Sequence, residues 1–181
     1  WYADQADPFV SLARASSVTT TIKLGTGVCI VPERSPLVLA KEVATLDMFS
    51  NGRFLFGIGA GWLKEESEVM GVDFSSRWAR TQEAVLAMKE LWTKSESEFH
   101  GKYYDFPPVY SFPMPVQQPH PPVLIGSRAS KVFRRVVEYG DGWFPIGVNP
   151  EDVRQGRATL NELAEEVGRC LLYTSPSPRD A

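Results

Sequence analysis

Residues 24–66 read LGTGVCIVPERSPLVLAKEVATLDMFSNGRFLFGIGAGWLKEE, and this stretch decides the fold. Ile22 to Val31 is an apolar, β-branched run of the kind buried on both faces in a parallel sheet, and Pro32 ends it. Ser35-Pro36 reads as an N-cap and first-turn pair. Leu37, Ala40, Val43, Ala44 and Met48 then keep helical spacing until Asn51-Gly52 stops the helix. Arg53 to Gly57 is the next strand. A strand, a helix and a second strand in this order imply a right-handed parallel crossover.

Outward from this unit the alternation continues. Residues 8–21 predict a helix opened by Pro8, with Phe9, Leu12, Ala13 and Ser16 on one face. Ser76 to Thr93 predicts another, with Val85, Met88, Leu91 and Trp92 inward and Arg80, Glu83, Lys89 and Glu90 in solvent. Between Lys94 and Pro122 prolines and aromatics replace the pattern, marking an insertion that acts as a lid or a brace; Phe99 to Tyr104 in it suits a short hairpin. Alternation resumes with a strand at Val123–Ile125 and a helix from Ser130 to Tyr139, for which Gly140 is a left-handed stop. A strand at Gly142–Ile146 and a helix from Pro150 to Val167 follow. Repeated βα units of this kind mean an α/β parallel sheet or barrel.

Composition narrows the function. Of 181 residues, 43% are hydrophobic and 23% charged, which excludes disordered and coiled-coil chains. No stretch supplies the ~18 to 20 apolar residues of a membrane helix, so no membrane partner is expected. Lys plus Arg number 19 against 22 for Asp plus Glu. That balance offers no basic footprint for nucleic acid, so a phosphate must be held locally. Two cysteines, Cys29 and Cys170, make neither a metal cluster nor a disulfide framework and point to a reducing cytoplasm. Trp1 to Asp4 lacks a signal-peptide pattern and reads as a cut start. Cys170 to Ala181 (CLLYTSPSPRDA) places Pro and Ser where the next strand belongs and reads as a non-native tail, leaving residues 1–169 as one domain with its insertion at 94–122.

Three segments can carry chemistry. Gly57 to Trp62 follows a strand and precedes helix-like sequence, where glycine lets backbone amides approach a phosphate or ring. Alone it is equally a tight turn, and Trp62 in place of the sixth-position glycine disfavours a dinucleotide fingerprint. Thr26-Gly27-Val28 puts a glycine inside a buried strand, as a bulge beside a ligand or as a packing glycine. Val123 to Arg128 ends a strand in small residues before a helix, able to hold an anion there with Arg128 adding a charge-assisted bond, or serving as an ordinary βα loop. Asp141-Gly142-Trp143 reads as a turn with a core Trp, and His100 and His120 as structural histidines. Glu33, Arg34 and Glu65 lie near strand ends as candidates that otherwise read as solvated charges.

Together the stretch 24–66, FHGKYYDF (99–106), PVQQPHPPVLIGS (115–127) and YGDGW (139–143) resemble the bacterial luciferase-like family, in its coenzyme F420-dependent oxidoreductase branch. The resemblance implies a (β/α)8 TIM barrel, incomplete here because only four or five βα units are legible, with the insertion near the C-terminal strand ends. It implies a bulge with a cis peptide joining Gly27 and Val28 behind the deazaflavin ring. It also implies Thr26 at that bulge, Gly59, Ala60, Gly61 and Trp62 beside the cofactor, and Gly126, Ser127 and Arg128 around its phosphate. Catalytic residues do not carry over, since the family often places one before the point where this chain begins, and the segment by itself is expected to be inactive. The activity implied is hydride transfer between F420 and a small organic substrate. FMN-dependent monooxygenation with dioxygen and non-catalytic flavin binding are the alternatives, and a homodimer of the full-length parent is left open.

Overall fold

The structure, a computed structural model, describes residues 6–169 and the backbone of 173–174. The chain order is α1 (Pro8–Val18), β1 (Leu24–Gly25), β2 (Cys29–Ile30), α2 (Pro36–Phe49), β3 (Phe54–Gly59), α3 (Lys64–Val69), α4 (Arg77–Thr93), β4 (Ser97–His100), β5 (Asp105–Val109), β6 (Val123–Gly126), α5 (Val132–Tyr139), β7 (Gly142–Phe144), α6 (Pro150–Glu166) and β8 (Tyr173–Thr174). All pairings of the main sheet are parallel, and β1 and β2 both lie beside β3, followed by β6, β7 and β8. Strands adjacent in space follow one another along the chain apart from the β4–β5 hairpin, as in one arc of a (β/α) barrel. The proposed non-native tail, apart from the backbone of β8, and Cys170 lie outside the described residues.

Period-two alternation separates two faces of β3. Phe54, Phe56 and Ile58 are fully buried against the helix layer, where Phe56 meets Trp92 edge-on at 6.1 Å and Phe9 at 6.5 Å. Burying each such side chain stabilises the fold by roughly 1.5–3 kcal/mol. Trp92 also donates its indole N–H to the Ala40 carbonyl at 2.9 Å, tying α4 to α2. On the far side Trp143 packs edge-on against Phe133 at 5.0 Å and donates to the Ser127 carbonyl at 3.0 Å.

At the N-terminal end of the sheet, charged side chains close the structure. Asp47, fully buried, accepts from the Val116 and Gln117 amides and from Gln117 Nε2 at 2.7–2.9 Å. Arg53 donates to the carbonyls of Ser16, Thr19, Ile22 and Ser50. Asp141 accepts from the Val123 amide at 2.9 Å and pairs with Arg169 at 3.1 Å and Lys89 at 3.5 Å.

Several expectations change. The run 22–31 is two short pieces, β1 and β2, because an extra residue interrupts its pairing. The 94–122 insertion is not near the C-terminal strand ends: a connection from the end of α4 to the start of β6 lies at the opposite end of a βα unit. Gln117 confirms the placement by bonding the Phe54 carbonyl at the start of β3 at 2.7 Å. The predicted hairpin forms as β4–β5 and runs along α4, where Glu83 accepts from the Tyr103 and Tyr104 amides at 2.6 and 2.7 Å. The insertion is therefore a brace, and neither Glu83 nor Lys89 stays in solvent. Ser35 occupies the N-cap position of α2 but its side chain makes no capping bond. Gly140 ends α5 at φ −92°, not left-handed; glycine is needed because a Cβ would stand 2.8 Å from Ile125 Cδ1.

Candidate active site at the C-terminal strand ends

The bulge builds the site. Leu24 and Gly25 pair with Phe54 and Leu55, whereas Cys29 and Ile30 pair with Ile58 and Gly59, so the first strand holds one residue more than β3 over the same span. The Gly27–Val28 peptide within this bulge is cis. Thr26, buried, donates its hydroxyl to the Gly57 carbonyl at 2.7 Å and locks the bulge to β3.

The concave face opposite the helices is paved with glycine. A Cβ on Gly57 would stand 1.9 Å from the Thr26 carbonyl oxygen; one on Gly59 would stand 2.8 Å from Val28 Cγ2, and one on Gly126 2.7 Å from Val28 Cγ1. Val28 therefore lies across two neighbouring strands, and glycine there is what admits it. The Phe144 ring reaches toward Gly27, 3.5 Å from where a Cβ would be. The result is an apolar floor of Val28, Ile30, Phe144 and bare backbone.

Of the residues singled out from sequence, Thr26, Gly27, Val28, Gly59 and Gly126 meet on this floor. Ala60 is buried behind its rim, and Gly61, at φ +80°, turns the chain beside Glu33 and Ser67. Trp62 stands away from the floor, 77% exposed. Ser127 uses its carbonyl on Trp143 and its hydroxyl on the Ala129 amide at 3.1 Å. Arg128 is exposed, its guanidinium 3.7 Å from where a Cβ on Gly147 would be. The polar pair 127–128 thus sits at one end of the apolar floor.

A cleft of about 720 Å³ opens beside the bulge, lined by Gly27, Val28, Ile30, Glu33, Arg34 and Met70 among others. Arg34 is committed to Asp7 at 2.9 Å and Glu42 at 3.5 Å, and its hydrogen bond holds the Asp7 carboxyl below the usual carboxylate range. Glu33 is half-buried and receives the Ser67 hydroxyl at 3.4 Å. Burial, with the Glu66 charge adding to it, raises its pKa. Neither Glu33 nor Arg34 is a freely solvated charge, whereas Glu65 remains exposed. Burial also pushes the Cys29 thiol up to about 12, leaving it protonated at neutral pH and inert as a nucleophile. His100 pairs with Asp105 on the hairpin at 2.7 Å and His120 stacks on Trp92 at 5.6 Å, both outside the cleft. Among the described residues no group of His, Cys, Asp and Glu could hold a metal ion, and no helix is long and apolar enough to cross a membrane.

Sequence reading named Gly57 only as the start of its glycine segment and overlooked Phe144, Glu33's partner Ser67, and Gly147. A usable signal for the role of Gly57 in the floor existed: glycines at 57 and 59 lie two apart in a strand and so share a face.

Residues 1–173 match the model of the luciferase-like monooxygenase family. The chain belongs to that family. Its members are oxidoreductases or monooxygenases, and the parallel arc with helices outside is the luciferase-like α/β fold. Among relatives of this luciferase-like chain, an uncharacterised protein of Mycobacterium tuberculosis is 40% identical over 153 residues, covering 84% of this chain and 53% of that protein. The oxygenase component of a flavin-dependent trigonelline monooxygenase from Acinetobacter baylyi is 34% identical over 164 residues, 88% of this chain and 45% of that protein. In fold, an F420-dependent secondary alcohol dehydrogenase solved with an F420–acetone adduct superimposes with a TM-score of 0.81 at 24% identity, over 94% of this chain and 53% of that one. The luciferase-like chain spans about half the length of the curated relatives it matches.

Proposed function

We propose that the protein is an oxidoreductase that moves a hydride between coenzyme F420 and a small organic substrate. The observation that carries this reading is the Gly27–Val28 bulge laid over Gly59 and Gly126, a flat apolar seat for one face of a tricyclic ring. The residues fit such a group: Thr26, Gly27 and Val28 would back the ring, Gly59 to Gly61 would flank it, and Gly126, Ser127 and Arg128 would meet its phosphate at the polar end. Trp62 borders the cofactor only if its exposed ring folds inward. The bound deazaflavin supplies two-electron hydride chemistry, while the chain orients it and excludes water from the covered face. The protein is expected to act in the cytoplasm, on a small-molecule substrate.

A second reading, FMN-dependent monooxygenation with dioxygen, is favoured by the 34% identity to the flavin-dependent trigonelline monooxygenase component. Titrating the protein with F420 and separately with FMN, followed by fluorescence, reads the cofactor, and oxygen uptake reads the electron acceptor. F420 binding with substrate-dependent bleaching and no oxygen uptake supports the hydride reading. Tight FMN binding with oxygen consumption overturns it, and binding without any turnover leaves a flavin carrier.

A further inference from the structure

The cleft beside the bulge has both apolar and charged walls. Val28, Ile30 and Met70 supply the apolar part, Asp7 and Glu66 add charge from the start of α1 and from α3, and Glu33 and Arg34 lie just past the end of β2. There Glu33 approaches the turn at Gly61: a methyl group on Gly61 would stand 3.6 Å from Glu33 Oε1 and 3.6 Å from Ser67 Oγ. Ser67, fully buried on α3, donates to Glu33 and so fixes the direction of its carboxyl. Glu33 thus joins the bulge segment to the 59–62 segment.

The charges around it are unequal. Arg34, the cation of the cleft, already serves Asp7 and Glu42. Glu66 also lines the cleft, and among the described residues neither it nor Glu33 has a cation within ion-pair distance. A carboxylate entering this space meets two like charges with no free cation to offset them. A protonated amine or a hydroxyl meets an acceptor held in place by Ser67.

We propose that Glu33 is a specificity-determining residue, selecting substrates that carry a positive charge or a hydrogen-bond donor and turning away carboxylates. This rests on the reading of the bulge and its cleft as the active site. At an effective dielectric of about 20 the Coulomb interaction across about 5 Å is large, and solvent at this half-exposed carboxyl reduces its effect to a discrimination on the order of tenfold.

The probes are hexylammonium and hexanoate, matched in chain length and opposite in charge, with binding to the protein measured by ligand-observed NMR. F420 and FMN are titrated in parallel. Wild type is expected to prefer hexylammonium, Glu33→Gln to narrow the preference by roughly tenfold, and Glu33→Arg to invert it. Equal binding of the two probes by wild type, or an unchanged ratio in Glu33→Gln, overturns the proposal. A Glu33→Gln protein in which both probes weaken together and the melting temperature falls also overturns it, because that is the behaviour of a structural tie to Ser67. Protein that binds F420 or FMN but shows no probe preference refutes the role of Glu33 alone. Protein that binds neither cofactor yet keeps the preference refutes the cofactor reading and supports Glu33 as the selector.

Discussion

Replacing Gly126 with alanine tests the geometry of the floor directly. Gly126 has ordinary backbone angles, so only space matters: the new Cβ would lie 2.7 Å from Val28 Cγ1, 3.0 Å from Ile146 Cδ1 and 3.2 Å from the Ile58 carbonyl oxygen. Ile146 is partly exposed and its methyl can swing aside, but Val28 is held by the bulge. Overpacking of this kind costs about 1–3 kcal/mol, offset by about 0.4–1 kcal/mol from the lower entropy of the unfolded alanine chain. Gly126→Ala should therefore destabilise by about 1–2 kcal/mol. Val28→Ala alone removes half-buried methyls and costs about 1 kcal/mol. In the double variant the offending Cγ1 is gone, so its loss should be close to that of Val28→Ala, a favourable coupling of about 1–2 kcal/mol. Gly57→Ala is the control. Its Cβ would meet the Thr26 backbone oxygen at 1.9 Å, a clash that trimming Val28 cannot relieve, so those two losses should add. Urea unfolding midpoints at constant m-value measure the three single and two double variants against wild type. If Val28→Ala and Gly126→Ala add to within about 0.3 kcal/mol, Val28 does not lie over Gly126 and the floor is wrongly assigned.

Two further outcomes follow from buried polar groups. The Tyr139 hydroxyl is buried without a hydrogen-bond partner among the described residues, so Tyr139→Phe should leave stability unchanged or raise it by up to about 1 kcal/mol; a loss of about 1 kcal/mol or more in chemical unfolding would mean the hydroxyl has a partner. Burial holds the His120 pKa below its ordinary 6.5, so the unfolded chain takes up the proton first as pH falls. The stability tied to neutral His120 is complete above about pH 6.5 and declines as pH drops through and below it. His120→Gln should flatten that part of the stability curve relative to wild type, and parallel curves for the two proteins would refute it.

Much of the fold is legible in local pattern. Phe54, Phe56 and Ile58 alternate with smaller residues, the helices at 36–49 and 77–93 keep their spacing, and Asn51-Gly52 ends α2 with both residues left-handed. The glycine inside a buried run marked the place of the bulge but read equally as a packing glycine until the family resemblance implied a bulge there. The side on which the 94–122 insertion lies was not. Its aromatics suggest a lid, but its position is dictated by which strand end the chain has reached, and that requires the sheet. Glu83, Lys89 and Glu33 look like solvent-facing charges because sequence spacing reports a helix face or loop, not what another element lays against it.

The sequence by itself determined the order of strands and helices and the place of a glycine inside the first buried run, since these depend on backbone conformation and on the period-two and 3.6-residue repeats. Only the tertiary structure decided that Val28 rests on Gly59 and Gly126 together, that the insertion braces the far end, and that Glu33 faces the cleft. Those facts depend on the curvature and neighbour order of the sheet, which bring residues distant along the chain to within van der Waals contact and which no local repeat encodes.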